Sequence, residues 1–259
     1  MKGIEAMEWN VLGKGFYEPY STLRSDCRND SVRYAMAIAN CAKENEGQKM
    51  IAFLGGIGVL GNLVNHLGEE VIPKWRGTHD VDMLLKDRRY EGCIATIFDS
   101  VDTHGPSLSI PNKMTIRGSC YDLDDASLTP MTVDVYHPKG HPKKGIYLSG
   151  QLIDEKAWDR TIDVGFFGIP MKILNPLDLL NLKLKIICAS SSVPREKDIE
   201  DIYHLYASAE KLGYSPETVL SGLDKKSLET LTRITPTLKE HKPSARLLQV
   251  NPSYLEAVK

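Results

Sequence analysis

Two aspartates one residue apart are the side chains in this chain best suited to chemistry. They are Asp80 and Asp82, in the run Thr78-His79-Asp80-Val81-Asp82-Met83-Leu84-Leu85. In an extended strand alternate side chains share a face, so the two carboxylates lie side by side while Val81 points away. Like charges so placed repel, and a hard divalent cation relieves the repulsion. Mg²⁺ is typically held by one or two carboxylates plus the phosphate oxygens of a substrate, which fits this pair. A third acid, Asp134, stands in the apolar run Met131-Thr132-Val133-Asp134-Val135-Tyr136. A carboxylate in such a run is costly unless it is paired or bound to metal. If this strand lies beside the first, Asp134 completes a cluster of three acids able to hold two cations for phosphoryl transfer, or acts as general base on an attacking hydroxyl. Acids are also common on surface strands and strand edges, so neither signal is specific alone. Asp122, Asp124 and Asp125 read as a solvated turn, where Asp is favoured for local backbone reasons.

Gly55-Gly56 follows the apolar run Met50-Ile51-Ala52-Phe53-Leu54 and precedes Leu60, Leu63, Val64 and Leu67 at helical spacing. The pattern is strand, tight turn, helix. Glycine lets the backbone approach a phosphate, and a helix N-terminus adds free N–H groups. A rival reading uses the same residues. Gly56-Ile57-Gly58-Val59-Leu60-Gly61 has the spacing of a dinucleotide-binding fingerprint, with Asp87 after a later apolar run. Against it, the acid pair sits at the polar start of its strand, and no repeated βαβ units follow.

Two charged residues fall oddly on helices. On a projection of 177–188, Asp178, Asn181 and Lys185 share a polar face, while Lys183 lies opposite, flanked by Leu179 and Ile187. It either snorkels outward or is held toward a cleft. On the next helix Glu200, Asp201 and His204 occupy the polar side, and Asp198 lies at the edge of the apolar face. Asp198 suits the helix start, pairs with Lys183 or points into the same cleft.

The elements that must position these residues follow from periodicity and punctuation. Asp30-Ser31 opens a helix that ends near residues 45–47, and Gly68 and Pro73 stop the helix after Gly56. A helix is predicted over Tyr90 to Phe98. Lys113 to Tyr121 and Pro130 to Tyr136 read as antiparallel strands, and Thr161 to Ile173 is β-rich. Asn175-Pro176 starts a helical region over 176–188, 197–211, 216–222 and 225–239. A boundary near residue 174 therefore divides a mixed α/β half, 1–174, from a helical half, 175–259. The fold class is α+β: a small mixed sheet with flanking helices and an N-terminal helical extension, then a helical C-terminal domain.

Taken in order, Gly55-Gly56, Arg76-Gly77-Thr78-His79-Asp80-Val81-Asp82 and Val133-Asp134-Val135 resemble the nucleotidyltransferase superfamily of the DNA polymerase β type. Pro176-Leu177-Asp178-Leu179 with Lys183, and Arg195-Glu196-Lys197-Asp198, extend the resemblance to its AbiEii-like, toxin-type group. It runs from about residue 50 to residue 206. It implies a nucleotidyltransferase core in which Asp80, Asp82 and Asp134 bind Mg²⁺ or Mn²⁺. Gly55, Gly56, Arg76 and Thr78 would lie near the triphosphate, and Lys183 and Asp198 at the cleft. The implied reaction moves a nucleoside monophosphate from an NTP to an acceptor and releases pyrophosphate. It allows tRNA, a protein side chain or a small molecule as acceptor, and a toxin role with a neighbouring antitoxin protein. Many relatives carry a serine beside the glycine pair. Here Ile57-Gly58 follows, so phosphate grip would rest on backbone N–H groups. A nucleotide- or partner-binding module without catalysis fits the same residues.

The 259 residues carry a net charge of −2, which supplies no global pull toward nucleic acid or anionic lipid. Cys27, Cys41, Cys93, Cys120 and Cys188 are scattered and odd in number, which suggests free thiols in a reducing cytoplasm. The N-terminus is acidic where a secretory signal would be apolar, and no run is long enough to span a membrane.

Overall fold

The computed structural model describes residues 30–44, 47–86, 94, 100–104, 113–121, 128–136, 146–148, 151–153, 155–189, 194–242 and 247–258. The expected helix over Tyr90 to Phe98, the acidic turn Asp122–Asp125 and Asp87 lie almost wholly outside these residues.

Helix α1 (Asp30–Glu44) comes first. Strand β1 (Ile51–Leu54) is buried at every position, as four consecutive apolar residues suggest. Helix α2 (Gly55–Leu67) follows without a loop and ends where Gly68 takes a φ of 80°. After a 3₁₀ turn over Glu69–Lys74 come β2 (Asp80–Leu85), β3 (Ser100–His104), β4 (Lys113–Tyr121) and β5 (Leu128–Tyr136). Then β6 (Ile146–Leu148) and β7 (Gln151–Ile153) form a small ribbon. Finally β8 (Ile162–Phe166) and β9 (Ile169–Ile173) form a hairpin.

Seven strands make one mixed sheet in the order β3-β4-β5-β2-β1-β9-β8. β2 is antiparallel to β1 and parallel to β5, and β4 and β5 form the expected antiparallel pair. Along β2, Val81, Met83 and Leu85 are buried on one face, and Asp80 and Asp82 are half-buried on the other. The acid face turns apolar at Leu84, which is buried opposite buried Tyr136. The acids therefore mark the open end of a strand whose remainder is core.

Helices follow the sheet: α3 (Pro176–Ala189), α4 (Glu196–Lys211), α5 (Pro216–Ser221), α6 (Lys225–Glu240) and α7 (Pro252–Glu256). Asn175 caps α3 as the sequence suggests, its Oδ1 accepting from the Asp178 N–H at 3.0 Å. Helix α3 packs on α4 and α6, and α4 packs on α2, which ties the helical part to the sheet. Among the described residues no helix is long and apolar enough to cross a membrane.

The dinucleotide reading needs a parallel βαβ unit around its glycines. The strands flanking α2 are antiparallel neighbours, so that unit is absent here. Packing explains the later glycines. A Cβ at Gly61 would stand 2.7 Å from Ile173 Cγ2, and one at Gly58 would stand 3.0 Å from a Leu179 methyl. The expectation of free thiols throughout also needs correction: Cys41 is disulfide-bonded, whereas Cys188 is free and exposed.

Candidate active site

Strand register brings the acids together. Asp82 is the cross-strand partner of Leu54, the residue before the glycine turn, on one side and of Asp134 on the other. Asp80 faces Thr132. Two threonines orient the carboxylates: Thr78 Oγ1 donates to Asp80 Oδ1 at 2.8 Å, and Thr115 Oγ1 donates to Asp134 Oδ1 at 2.8 Å. Thr115 was not singled out from the sequence, because it meets Asp134 only through the β4–β5 register.

The glycine turn closes over this group. Gly55 has a φ of +58°, a region that residues with a Cβ rarely adopt. A Cβ there would also overlap the Asp82 carboxylate, and a Cβ at Gly56 would stand 2.8 Å from Thr78 Cβ. Both glycines are thus required by close approach to the residues that carry and orient the acids. The turn is also the start of α2, whose first N–H groups lack intrahelical acceptors and whose dipole favours negative charge.

A second set of charges comes from α4. Asp201 is buried, with 1 % of its side chain exposed, and accepts from two cations. Arg76 Nη2 reaches both of its oxygens, at 2.6 and 2.7 Å, and Arg76 Nε adds a bond of 3.1 Å. Lys183 Nζ lies 2.7 Å from Oδ2. Arg76 Nη1 also donates to the Gly77 carbonyl. One turn earlier, buried Asp198 binds Arg195 through Nε at 2.7 Å and Nη2 at 3.0 Å. Burial opposes the charge on Asp198, but the Arg195 hydrogen bond and the nearby Lys183 and Arg195 charges outweigh it and hold its pKa below the usual value. The Asp198 hydrogen bond raises the pKa of Arg195, and the charges of Asp198, Asp201 and Asp80 add to it. The guanidinium of Arg195, 63 % exposed, therefore stands within electrostatic reach of Asp80.

The helix projection is corrected in two places. Asp201 and His204, placed on the polar side of α4, are both buried. Lys183 pairs with Asp201 and Asp198 with Arg195, so of the alternatives for Asp198 the pairing with Lys183 is not the one formed. Lys183 does point inward, with 14 % of its side chain exposed. The other polar residues of α3 make local contacts: Asp178 with Arg160, Lys185 with Asp224, and Asn181 with Ser227.

Among the described residues no group of three or more His, Cys, Asp or Glu side chains stands ready to hold a metal ion. The donors on β2 nevertheless fit a hard divalent cation. Asp80 and Asp82 are half-buried oxygen ligands on one strand face, beside a backbone turn that admits no side chain. Two carboxylates completed by substrate phosphate oxygens is a common Mg²⁺ arrangement.

No family model matches the chain, and no curated protein matches its sequence. Its structure is similar to an antigenic nucleotidyltransferase-like protein from Paracoccidioides brasiliensis. The TM-score is 0.54 at 13% identity, covering 86% of this chain and 92% of the other. It also matches JHP933 from Helicobacter pylori, with a TM-score of 0.47 at 12% identity and 90% of each chain covered. A further match is the antibiotic-resistance factor ANT(2'')-Ia, with a TM-score of 0.46 at 10% identity, covering 82% of this chain and 95% of that one. At such identities the first of these likenesses establishes a shared α+β fold.

Proposed function

We propose that this protein is a Mg²⁺- or Mn²⁺-dependent nucleotidyltransferase that moves a nucleoside monophosphate from an NTP to an acceptor hydroxyl. The observation that carries the reading is the register Leu54–Asp82–Asp134, with the Gly55-Gly56 turn seated directly against Asp82. Asp80 and Asp82 would hold the cation, which when bound neutralises charge developing on the transferred phosphoryl group. The backbone N–H groups of the glycine turn would receive triphosphate oxygens. Lys183 and Arg195, anchored on α4, retain N–H donors beyond those used on Asp201 and Asp198, and would oppose the remaining phosphate charge.

Asp134, oriented by Thr115, would take the proton of the acceptor hydroxyl. The acceptor oxygen then bonds the α-phosphorus, the bond from that phosphorus to the bridging oxygen breaks, and pyrophosphate leaves. Chemistry of this kind asks the protein mainly for positioning and charge neutralisation.

The test is pyrophosphate release from each of the four common NTPs, measured with Mg²⁺ and with pools of tRNA, protein or small hydroxyl compounds as acceptors. Release that requires one pool and disappears in Asp82→Asn supports the reading. NTP binding with no release from any pool would favour the second reading, a nucleotide-binding module. That reading draws on the missing hydroxyl beside the glycine pair, where Ile57-Gly58 stands.

A further inference from the structure

The buried charge cluster on α4 has the clearest unassigned role. Asp201 is fully buried and takes four short contacts from two cations that lie far apart in sequence. Arg76 comes from the loop before β2, 125 residues away, and Lys183 comes from α3. With charges of +1, +1 and −1, the triad is net +1. A buried ion cluster of this kind stabilises a fold no better than an apolar cluster of equal volume. An apolar cluster cannot supply an ammonium held in place with donors to spare.

The donor count separates the two cations. Arg76 is committed inside the protein, with Nε and Nη2 on Asp201 and Nη1 on the Gly77 carbonyl. Lys183 makes one ion pair, and an ammonium has three N–H donors. Arg76 also leads through Gly77 into Thr78, which contacts Gly56 and holds Asp80. One carboxylate on α4 therefore fixes both the loop that orients a sheet acid and the lysine of α3.

We propose that Asp201 is a positioning residue: it fixes the Lys183 ammonium beside the Arg76–Thr78 loop, and it holds Arg76 as a strut for that loop and so removes Arg76 from phosphate binding. The consequence for nucleotide rests on the nucleotidyl-transfer reading, whereas the bridge itself does not.

The first arm of the test needs no nucleotide. Reductive methylation of the intact protein, followed by peptide mass mapping, reads the reactivity of each lysine. In Asp201→Asn, Lys183 loses the carboxylate it is paired with while Asp198 remains nearby, and its labelling rises about tenfold as the ammonium is freed. In Arg76→Met the neighbouring cation goes while the anion stays, so Lys183 labels more slowly than in the wild type. Unfolding exposes every lysine and cannot slow a single one, so the second variant decides the matter if the first fails to fold. Asp224→Asn is the control and raises Lys185, its ion-pair partner at 2.9 Å, but not Lys183. Wild-type labelling of Lys183 in both bridge variants overturns the proposal.

The second arm measures Mg·ATP affinity. Asp201→Glu keeps the charge and moves it, and weakens binding about ten- to a hundredfold, as loss of one hydrogen bond between Lys183 and a phosphate oxygen does. In a Lys183→Met background the same change has little further effect. A loss of equal size in that background would show that Asp201 does not act through Lys183. If another of the four common NTPs binds in place of ATP, it is the probe; absence of binding by all four would count against the nucleotidyl-transfer reading alone, and the labelling arm would still judge the bridge.

Discussion

On the sheet, Asp80 and Asp134 accept hydrogen bonds from the neutral hydroxyls of Thr78 and Thr115, and Asp80 and Asp82 are half-buried at a strand mouth. On α4, Asp198 and Asp201 are buried and bound to guanidinium and ammonium groups. The chemistry of the residue is the same and the use is opposite. An acid oriented by a hydroxyl keeps oxygen lone pairs that suit a metal. An acid neutralised by internal cations is a scaffold that sets where those cations stand. The acids of α4 thus gather Arg76, Lys183 and Arg195, whereas the sheet acids are gathered by hydroxyls.

Substitutions in the two sets should separate stability from binding. The largest stability effect is expected for Asp201→Ala, which strands two half-buried cations and should cost about 3–5 kcal/mol, read by urea unfolding. Asp82→Asn should stay within about 1 kcal/mol of the wild type while abolishing metal-dependent nucleotide binding, because it relieves a like-charge pair. Equal stability losses in the two variants would erase the distinction between scaffold and site.

Glycines give a smaller contrast. Gly55→Ala forces a Cβ into a positive-φ position against Asp82 and should cost about 1–3 kcal/mol in thermal unfolding. Gly165→Ala, with nothing within 4 Å of its added Cβ, should change stability by no more than about 0.5 kcal/mol.

The helical part should also be the acid-sensitive one. Asp198, Glu200 and Asp224 have pKa values below the ordinary 3.8, 4.5 and 3.8. Burial opposes their charge at Asp198 and Asp224, but Arg195 and Lys185 outweigh it, while the His204 ring is the main cause at Glu200. A carboxylate whose pKa is lower folded than unfolded stabilises the fold fully above its unfolded pKa, and that contribution is lost as pH falls through the folded pKa. The contribution of these carboxylates to the urea midpoint should therefore be lost as pH falls below about 4, less steeply in Asp198→Asn. At the small end, Glu229→Gln removes an exposed 4.0 Å pair with Lys225 and should shift stability by less than about 0.5 kcal/mol.

What could be read in the sequence was what depends on local order. Asp80 and Asp82 share a face because strands have a period of two, and Gly55-Gly56 marks a turn because little else fits a strand that runs straight into a helix. Asn175 before Pro176 announces a helix start through capping, a contact three residues long. Asp134 could be suspected from its apolar neighbours, but its place beside Asp82 depends on strand order, which periodicity does not encode. Asp201 was misplaced for the same reason. A helix projection sorts residues into apolar and polar faces, and the polar face of α4 is buried against charges from residues 76 and 183. Only tertiary contact distinguishes a solvated acid from one that joins distant parts of the chain.

The measurement that bears most directly on the sheet acids is calorimetric titration with each NTP, with and without Mg²⁺, for the wild type and for the Asp80→Asn/Asp82→Asn double variant. Mg²⁺-dependent binding of at least one NTP, lost in a double variant that unfolds like the wild type, is the expected result. Binding that is independent of Mg²⁺, or that persists in the double variant, would contradict the assignment of metal and triphosphate to the open end of β2.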